Sequence, residues 1–318
     1  MRIALAMPVQ ATAAAAAPAT ATFGVPAAAA PAAGPSKEEA LLIERMDSTS
    51  TLRHIDQLNR TPRVWKSAGY DQAVDYVVAQ LRDAGGEGKV EELESGGGMG
   101  RGKLRNVVAE RRGTAPDGER KLVVAGAHLD SVRGAPGAND NASGSSTLIE
   151  LAKAFEGIDT RNDIRLVWFD GEEAGLLGSR AHVKANAADA DRTIAMVNMD
   201  MVGSQNGDVG ASLGARTKSG LGDALKGVLL RTGLGGVVRT ETHSRSDHAS
   251  FDGAGIPALD FGVSVRTINR DDPFYHSPKD TLDKINPQVL EGYGDLIATT
   301  LLDLANRESR TIAGRPFG

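Results

Sequence analysis

The sequence contains no cysteine. That excludes thiol catalysis, disulfides, thiolate zinc sites and a lipid-anchored N-terminal cysteine together. Any metal must be held by histidine and carboxylate, a donor set suited to catalytic rather than purely structural zinc. No run approaches the roughly 18 uncharged apolar residues of a membrane span. Charge of one sign is scarce too: 36 Lys+Arg against 41 Asp+Glu leaves a formal net charge of −5. Such a mildly acidic, mixed surface predicts neither nucleic acid nor a membrane as partner. The 41% of apolar residues is enough for an ordinary core, and 318 residues suit one large α/β domain or two small ones.

Residues 10–34 are nearly all Ala, Pro and Thr, with too few large apolar side chains to fold, so residues 1–36 read as a disordered or removed leader. Arg2 followed by Ile3-Ala4-Leu5-Ala6-Met7 resembles a shortened signal peptide, which predicts a secreted or periplasmic protein. A plain disordered tail is the other reading. Residues 37–310 are expected to form one domain, with 311–318 as a tail.

Apolar spacing predicts a helix over Glu38–Leu58 and another over Asp71–Ala84, stopped by Gly85-Gly86. Residues 95–102 form a Gly-rich loop without the Lys-Ser/Thr and helix of a phosphate loop. Strands then alternate with helices: Asn106–Glu110 and Leu122–Ala127, helix Ser143–Phe155, strand Ile164–Phe169, helix Leu176–Lys184 and strand Thr193–Met199. Helix Leu221–Arg231, strand Ala258–Phe261 and helix Pro287–Asn306 complete the series. Near-continuous apolar strands separated by helices predict an α/β fold, three layers with a central, mostly parallel mixed sheet.

Ligands of open α/β sheets collect outside the carboxyl ends of the strands. Three predicted strands run there into His128-Leu129-Asp130, Asp170-Gly171-Glu172-Glu173 and Asp200. Asp140, Glu173 and Asp200 brought together would repel strongly unless cations neutralised them. Two zinc ions carry +4 against their −3, and neutral imidazoles from His128 and His276 would complete a compact site.

Several segments carry a resemblance: Ala127-His128-Leu129-Asp130-Ser131, the run Pro136 to Gly144 around Asn139-Asp140-Asn141, and Trp168 to Ser179 containing Asp170-Gly171-Glu172-Glu173. Asn198-Met199-Asp200, Arg245-Ser246-Asp247-His248 and Phe274-Tyr275-His276-Ser277 complete it. In this order, over roughly residues 60–305, the chain resembles the M28 family of zinc peptidases, and among these the secreted bacterial aminopeptidases of streptomycete type. The resemblance implies the zinc-exopeptidase (phosphorylase/hydrolase-like) form of the α/β fold and two Zn²⁺ per chain. It implies that Asp140 bridges them, that His128 and Asp200 complete one site and Glu173 and His276 the other, and that Glu172 is the general base. A cis Asp140–Asn141 peptide is expected with it.

Asp130, two residues after His128, is placed to accept the imidazole N–H and fix its tautomer, a helix cap or surface ion pair being the other reading; by the resemblance, Tyr275 donates to the oxyanion and Arg245 lies near the substrate. His54 and His182 fit structural roles, and His243 and His248 stand outside the ligand set. The expected substrates are peptides with a free N-terminus, acted on by a monomer. Dipeptidase or carboxypeptidase action on the same centre, a one-zinc glutaminyl cyclase and a catalytically silent binding module are the other readings.

Overall fold

A computed structural model describes residues 34–96, 101–312 and 314–318, so the expected leader falls outside the described residues apart from 34–36. The chain begins with α1 (Lys37–Arg45), α2 (Ser48–Asn59) and α3 (Ala68–Asp83), then the hairpin β1 (Lys89–Glu94) and β2 (Lys103–Arg111). The middle alternates through β3 (Leu122–His128), α4 (Gly144–Ala154), β4 (Asp163–Phe169), α5 (Leu177–Ala185) and β5 (Thr193–Asp200). It continues with β6 (Gly210–Gly214), α6 (Ser219–Thr232), β7 (Val237–His243), α7 (His248–Gly253), β8 (Ala258–Gly262) and the short α8 (Ile268–Asp271). A long α9 (Pro287–Ala305) and a small hairpin, β9 (Thr311–Ile312) and β10 (Arg315–Pro316), close it.

Eight strands form one sheet in the order β1-β2-β4-β3-β5-β8-β6-β7. Its centre, β4-β3-β5-β8, is parallel, while β1, β2 and β6 pair antiparallel with their inner neighbours. Alternate side chains of the central strands point to opposite faces. Val123, Ala125, Ile164, Leu166 and Val197 pack against α2, α3, α4 and α9, whereas Val124, Val167 and Met196 meet Phe251 of α7 and Val183 of α5. Both faces being covered, all seven residues of β3 are buried, which is why such strands read as unbroken apolar runs. The result is the expected three-layer α/β/α fold. Among the described residues no helix is long and apolar enough to cross a membrane.

Three expectations are corrected. The single helix over 38–58 is two: Asp47 is extended and its carboxylate accepts the Thr49 N–H at 2.9 Å, starting α2 afresh. The apolar spacing runs through the break because Leu42, Met46, Ile55 and Leu58 all enter one core. The expected tail instead has strands at residues 311–312 and 315–316 that pair with each other, and Phe317 beyond them is fully buried, its carbonyl accepting from Lys218 N–H at 2.6 Å. Strands β1, β6 and β7 were not expected at all. The Gly-rich loop joins β1 to β2, its residues 97–100 lying outside those described.

On the outer strand β1, Glu91 accepts hydrogen bonds from His182 Nδ1 (2.7 Å), Asn106 (3.0 Å) and Asn186 (3.1 Å), fastening the hairpin to α5. Burial alone would raise its pKa, but His182 and the two amides outweigh that and bring it from 4.5 down to about 2. A carboxylate so lowered stabilises the fold above pH 4.5, and the contribution drains away as pH falls toward 2. Glu91→Gln should therefore cost about 1–2 kcal/mol in urea unfolding at neutral pH, discounted for partial exposure, and progressively less below pH 4. An equal cost at pH 3 and pH 7 would contradict this role.

Candidate metal centre

The predicted site residues converge because the parallel strands end together. His128 is the last residue of β3 and Asp200 the last of β5, while Glu172 and Glu173 follow β4 by three and four positions. Asp140 arrives differently, on the irregular turn Ala138–Ser143 that leads into α4. Gly137 enters that turn at φ 70°, and a Cβ there would lie 2.3 Å from the Asp140 carbonyl oxygen, so only glycine fits. The Asp140–Asn141 peptide is cis, as the resemblance implies. Asp280 accepts the main-chain N–H groups of Asn139 (2.7 Å) and Asp140 (3.0 Å), and Asn141 donates to the Met199 carbonyl at 2.8 Å. The bridging candidate is thereby held from both sides.

The two oxygens of Asp140 face different imidazoles. Oδ1 lies 3.2 Å from His128 Nε2, which is 3.4 Å from Asp200 Oδ1. Oδ2 lies 3.1 Å from His276 Nε2, which is 3.1 Å from Glu173 Oε2. Two groups of potential ligand atoms, His128/Asp140/Asp200 and Asp140/Glu173/His276, thus share one carboxylate. His276 adopts φ 53°, in the left-handed region, a conformation that persists where surrounding structure enforces it.

The residues fit divalent cations. Asp200 Oδ1 and Glu173 Oε1 are buried with no hydrogen-bond donor among the described residues, which costs heavily for anionic oxygens. Burial, reinforced by Asp140, pushes the Glu173 carboxyl up to about 7. Burial works against charge on His276 as well, but Asp140 and Glu173 raise its pKa to about 10. A site that both resists its own anions and drives its imidazoles to take up protons is short of positive charge. Imidazole nitrogens with carboxylate oxygens are the donors zinc accepts in catalytic sites.

Glu172 lies beside His128 and Glu173, and burial, with Asp247, Asp200 and Glu173 around it, raises its pKa well above the carboxylate range. Asp130 is nearer its expected place than its expected bond. His128 Nδ1 is 3.2 Å from the Asp130 main-chain carbonyl and 3.5 Å from its carboxylate Oδ1. The carboxylate instead accepts the N–H groups of Glu172 (3.0 Å) and Glu173 (3.2 Å), fixing the paired glutamates relative to β3. Tyr275 stacks on the His276 ring at 3.8 Å between centroids, and burial keeps its phenol protonated. Tyr275 and the exposed Arg245 line one cleft with Asp140, Glu172, Glu173 and Asp200.

Arg63 and Asp280 escaped sequence reasoning. Arg63 is 1% exposed; its guanidinium donates to the carbonyls of Leu129 (2.7 Å), Leu58, Pro136 and Gly137 (2.8 Å each). It ties the loop after β3 to the loop before Asp140. A lone arginine that binds carbonyls has no sequence signature, whereas Asp280, four residues beyond His276, could have been noticed. His54 and His182 are structural as expected, pairing with Glu150 at 2.9 Å and Glu91 at 2.7 Å. His243 and His248 stand apart from the five ligand candidates, against Asp260.

Residues 106–301 match the sequence profile of Peptidase family M28. Leupeptin-inactivating enzyme 1 of Streptomyces exfoliatus is 32% identical over 88% of this chain and 66% of its own length, so the chain spans just under two thirds of that relative. A probable leucine aminopeptidase of Arthroderma otae is 30% identical over 83% of this chain and 75% of its own. In fold, the chain is similar to a solved zinc aminopeptidase of Bacillus subtilis, with a TM-score of 0.73 and 17% identity over 86% of this chain and 98% of that one.

Removing the Arg63 charge should leave four inward-facing carbonyls without donors. Arg63→Met is therefore expected to lower the unfolding free energy by about 3 kcal/mol or more in urea titration. A loss below about 1 kcal/mol would mean that the two loops hold without this brace.

Proposed function

The chain belongs to peptidase family M28, and on that premise we propose that it is a two-zinc aminopeptidase that removes the first residue from peptides. The observation that carries this reading is Asp140, whose two carboxylate oxygens each face a separate imidazole and a separate further carboxylate. A carboxylate placed in this way can be shared by two ions about 3.5–4 Å apart. In this reading His128, Asp140 and Asp200 hold one zinc, and Asp140, Glu173 and His276 the other. When bound, the ions supply Lewis acidity, making the attacking water more acidic and polarising the scissile carbonyl.

The chain's own residues perform the rest. Glu172 takes a proton from the attacking water and returns it to the leaving amine; Asp130, by accepting the N–H groups of residues 172 and 173, keeps that carboxylate in place. The Tyr275 phenol donates a hydrogen bond to the carbonyl oxygen as negative charge grows on it, an interaction worth about 3–4 kcal/mol in comparable sites. The substrate's α-ammonium rests against Glu172 and the carboxylate edge near Asp200. Its first side chain enters the part of the cleft walled by Met201, Val263, Val265 and Ile268, which favours an apolar residue, and Arg245 meets the peptide beyond it.

Both Glu173 and a complete five-residue donor set support two ions over the single zinc of a cyclase. The exposed Arg245 favours one second reading, a dipeptidase in which the guanidinium clamps a C-terminal carboxylate. Export from the cell belongs to the same reading, supported by the signal-like residues 2–7.

Leucyl-4-nitroanilide should be hydrolysed in a chelator-sensitive reaction, and its N-acetylated form at least about 100-fold more slowly, since blocking the amine discards the contact with Glu172. Equal rates would remove the aminopeptidase reading. Glu172→Ala should lower kcat by about 10²–10⁴-fold while the protein retains its full metal content. Near-normal turnover in that variant would refute the assigned base.

A further inference from the structure

Three ligand-type side chains beside the cleft lie outside the machinery just described. β7 ends at His243, α7 starts at His248, and Asp260 stands in the middle of β8, opposite Asn198 of β5. Their side chains are only 7%, 0% and 7% exposed. His243 Nε2 is 3.1 Å from Asp260 Oδ2, and His248 Nδ1 is 3.6 Å from Asp260 Oδ1. One ligand atom from each residue falls within 4.8 Å of the others.

His243 is drawn electrostatically toward Asp260, whose carboxylate works against the burial that would lower the pKa of the imidazole, yet His243 Nε2 and His248 Nδ1 are buried without a hydrogen bond of good geometry among the described residues. The two imidazoles face different oxygens of Asp260, and three ligand atoms within 4.8 Å of one another need to close only a little to surround a common ion, where bonds of about 2.0–2.2 Å set tetrahedral donor atoms roughly 3.3 Å apart. The five residues of the main centre show the same pattern, with contacts of 3.1–3.4 Å between ligand atoms.

The outer contacts agree with this. His248 Nε2 donates to the His243 main-chain carbonyl at 2.9 Å, so Nδ1 is the nitrogen turned toward the cluster. Asn198 donates to Asp260 Oδ1 at 2.7 Å and orients the carboxylate. The other nitrogen of His243 has only a long 3.4 Å contact from the Arg245 N–H, too weak to hold the ring in a tautomer that would keep Nε2 protonated.

We propose that His243, His248 and Asp260 form a further metal site, distinct from the centre built on Asp140, that takes a zinc-like divalent transition ion. Two imidazoles with one carboxylate suit zinc and its first-row neighbours, whereas calcium and magnesium prefer oxygen ligands throughout. An ion there joins β7, α7 and β8, and so stiffens the cleft wall to which His243, Asp260 and Val263 belong.

The test is a metal count on the full chain, equilibrated with zinc chloride and passed through a desalting column, for the parent, Asp260→Asn and His243→Gln. Each variant should retain one zinc fewer than the parent. The second variant guards against misfolding in the first, because His243 closes an outer strand whereas Asp260 lies in an inner one. An undiminished count in a folded variant of either kind would overturn the site and leave the cluster as an ion pair. Failure of the two-zinc reading would look different: the parent would hold fewer than three ions, with the one-zinc difference intact.

Discussion

Crowded negative charge at the ends of parallel strands is the constraint on which the rest of this structure depends. Asp130, Asp140, Asp247 and Asp280 are buried within or against the same centre as Glu172, Glu173 and Asp200. Burial, with the neighbouring anions adding to it, pushes Glu173, Asp247 and Asp280 each up to about 7. Carboxylates do not gather this way for stability, since each desolvated anion without a partner costs several kcal/mol. The arrangement becomes favourable only with compensating charge, and the protein supplies part of it. Arg63 is a buried cation, and main-chain N–H groups point at Asp130 and Asp280. One oxygen each of Asp200 and Glu173 and both oxygens of Asp247 remain without a hydrogen-bond donor among the described residues, and divalent ions on Asp200 and Glu173 would neutralise the first two.

The fold makes this concentration possible. A parallel sheet covered on both faces aligns the carboxyl ends of β3, β4 and β5, which deliver His128, the Glu172-Glu173 pair and Asp200 without a long loop. Asp140 and His276 come from irregular segments and need more support. Asp280 ties the two segments together: its N–H donates to the Ser277 carbonyl at 3.1 Å, and its carboxylate accepts the main-chain N–H groups of Asn139 and Asp140. Rigidity at the Asp140 turn is thus obtained by polar contacts with the backbone, as a site of fixed geometry requires.

The central strands were legible in the sequence because burial on both faces leaves no alternative to apolar residues. The outer strands were not: β1 reads Lys-Val-Glu-Glu-Leu-Glu, β7 carries Arg239, Thr240 and Glu241, and β6 is largely Gly, Ala and Ser. Each is defined by its pairing partner, not by its own composition. The break between α1 and α2 was hidden by an apolar spacing that both helices use against one core. Within the site, residues of strong chemical type at strand ends were visible. Arg63 was not, because its partners are carbonyls, which every residue has, and the second duty of Asp130 likewise consists of bonds to main-chain N–H groups.

The central claim is that Asp140 lies between two ions. Anomalous diffraction at the zinc edge, from crystals of the zinc-equilibrated protein, tests it most directly. Around Asp140, and separate from any peak at His243, His248 and Asp260, two peaks about 3.5–4 Å apart are expected, one beside His128 and Asp200 and the other beside Glu173 and His276, with the Asp140 carboxylate between them. A single peak, or a pair not shared by Asp140, would contradict it.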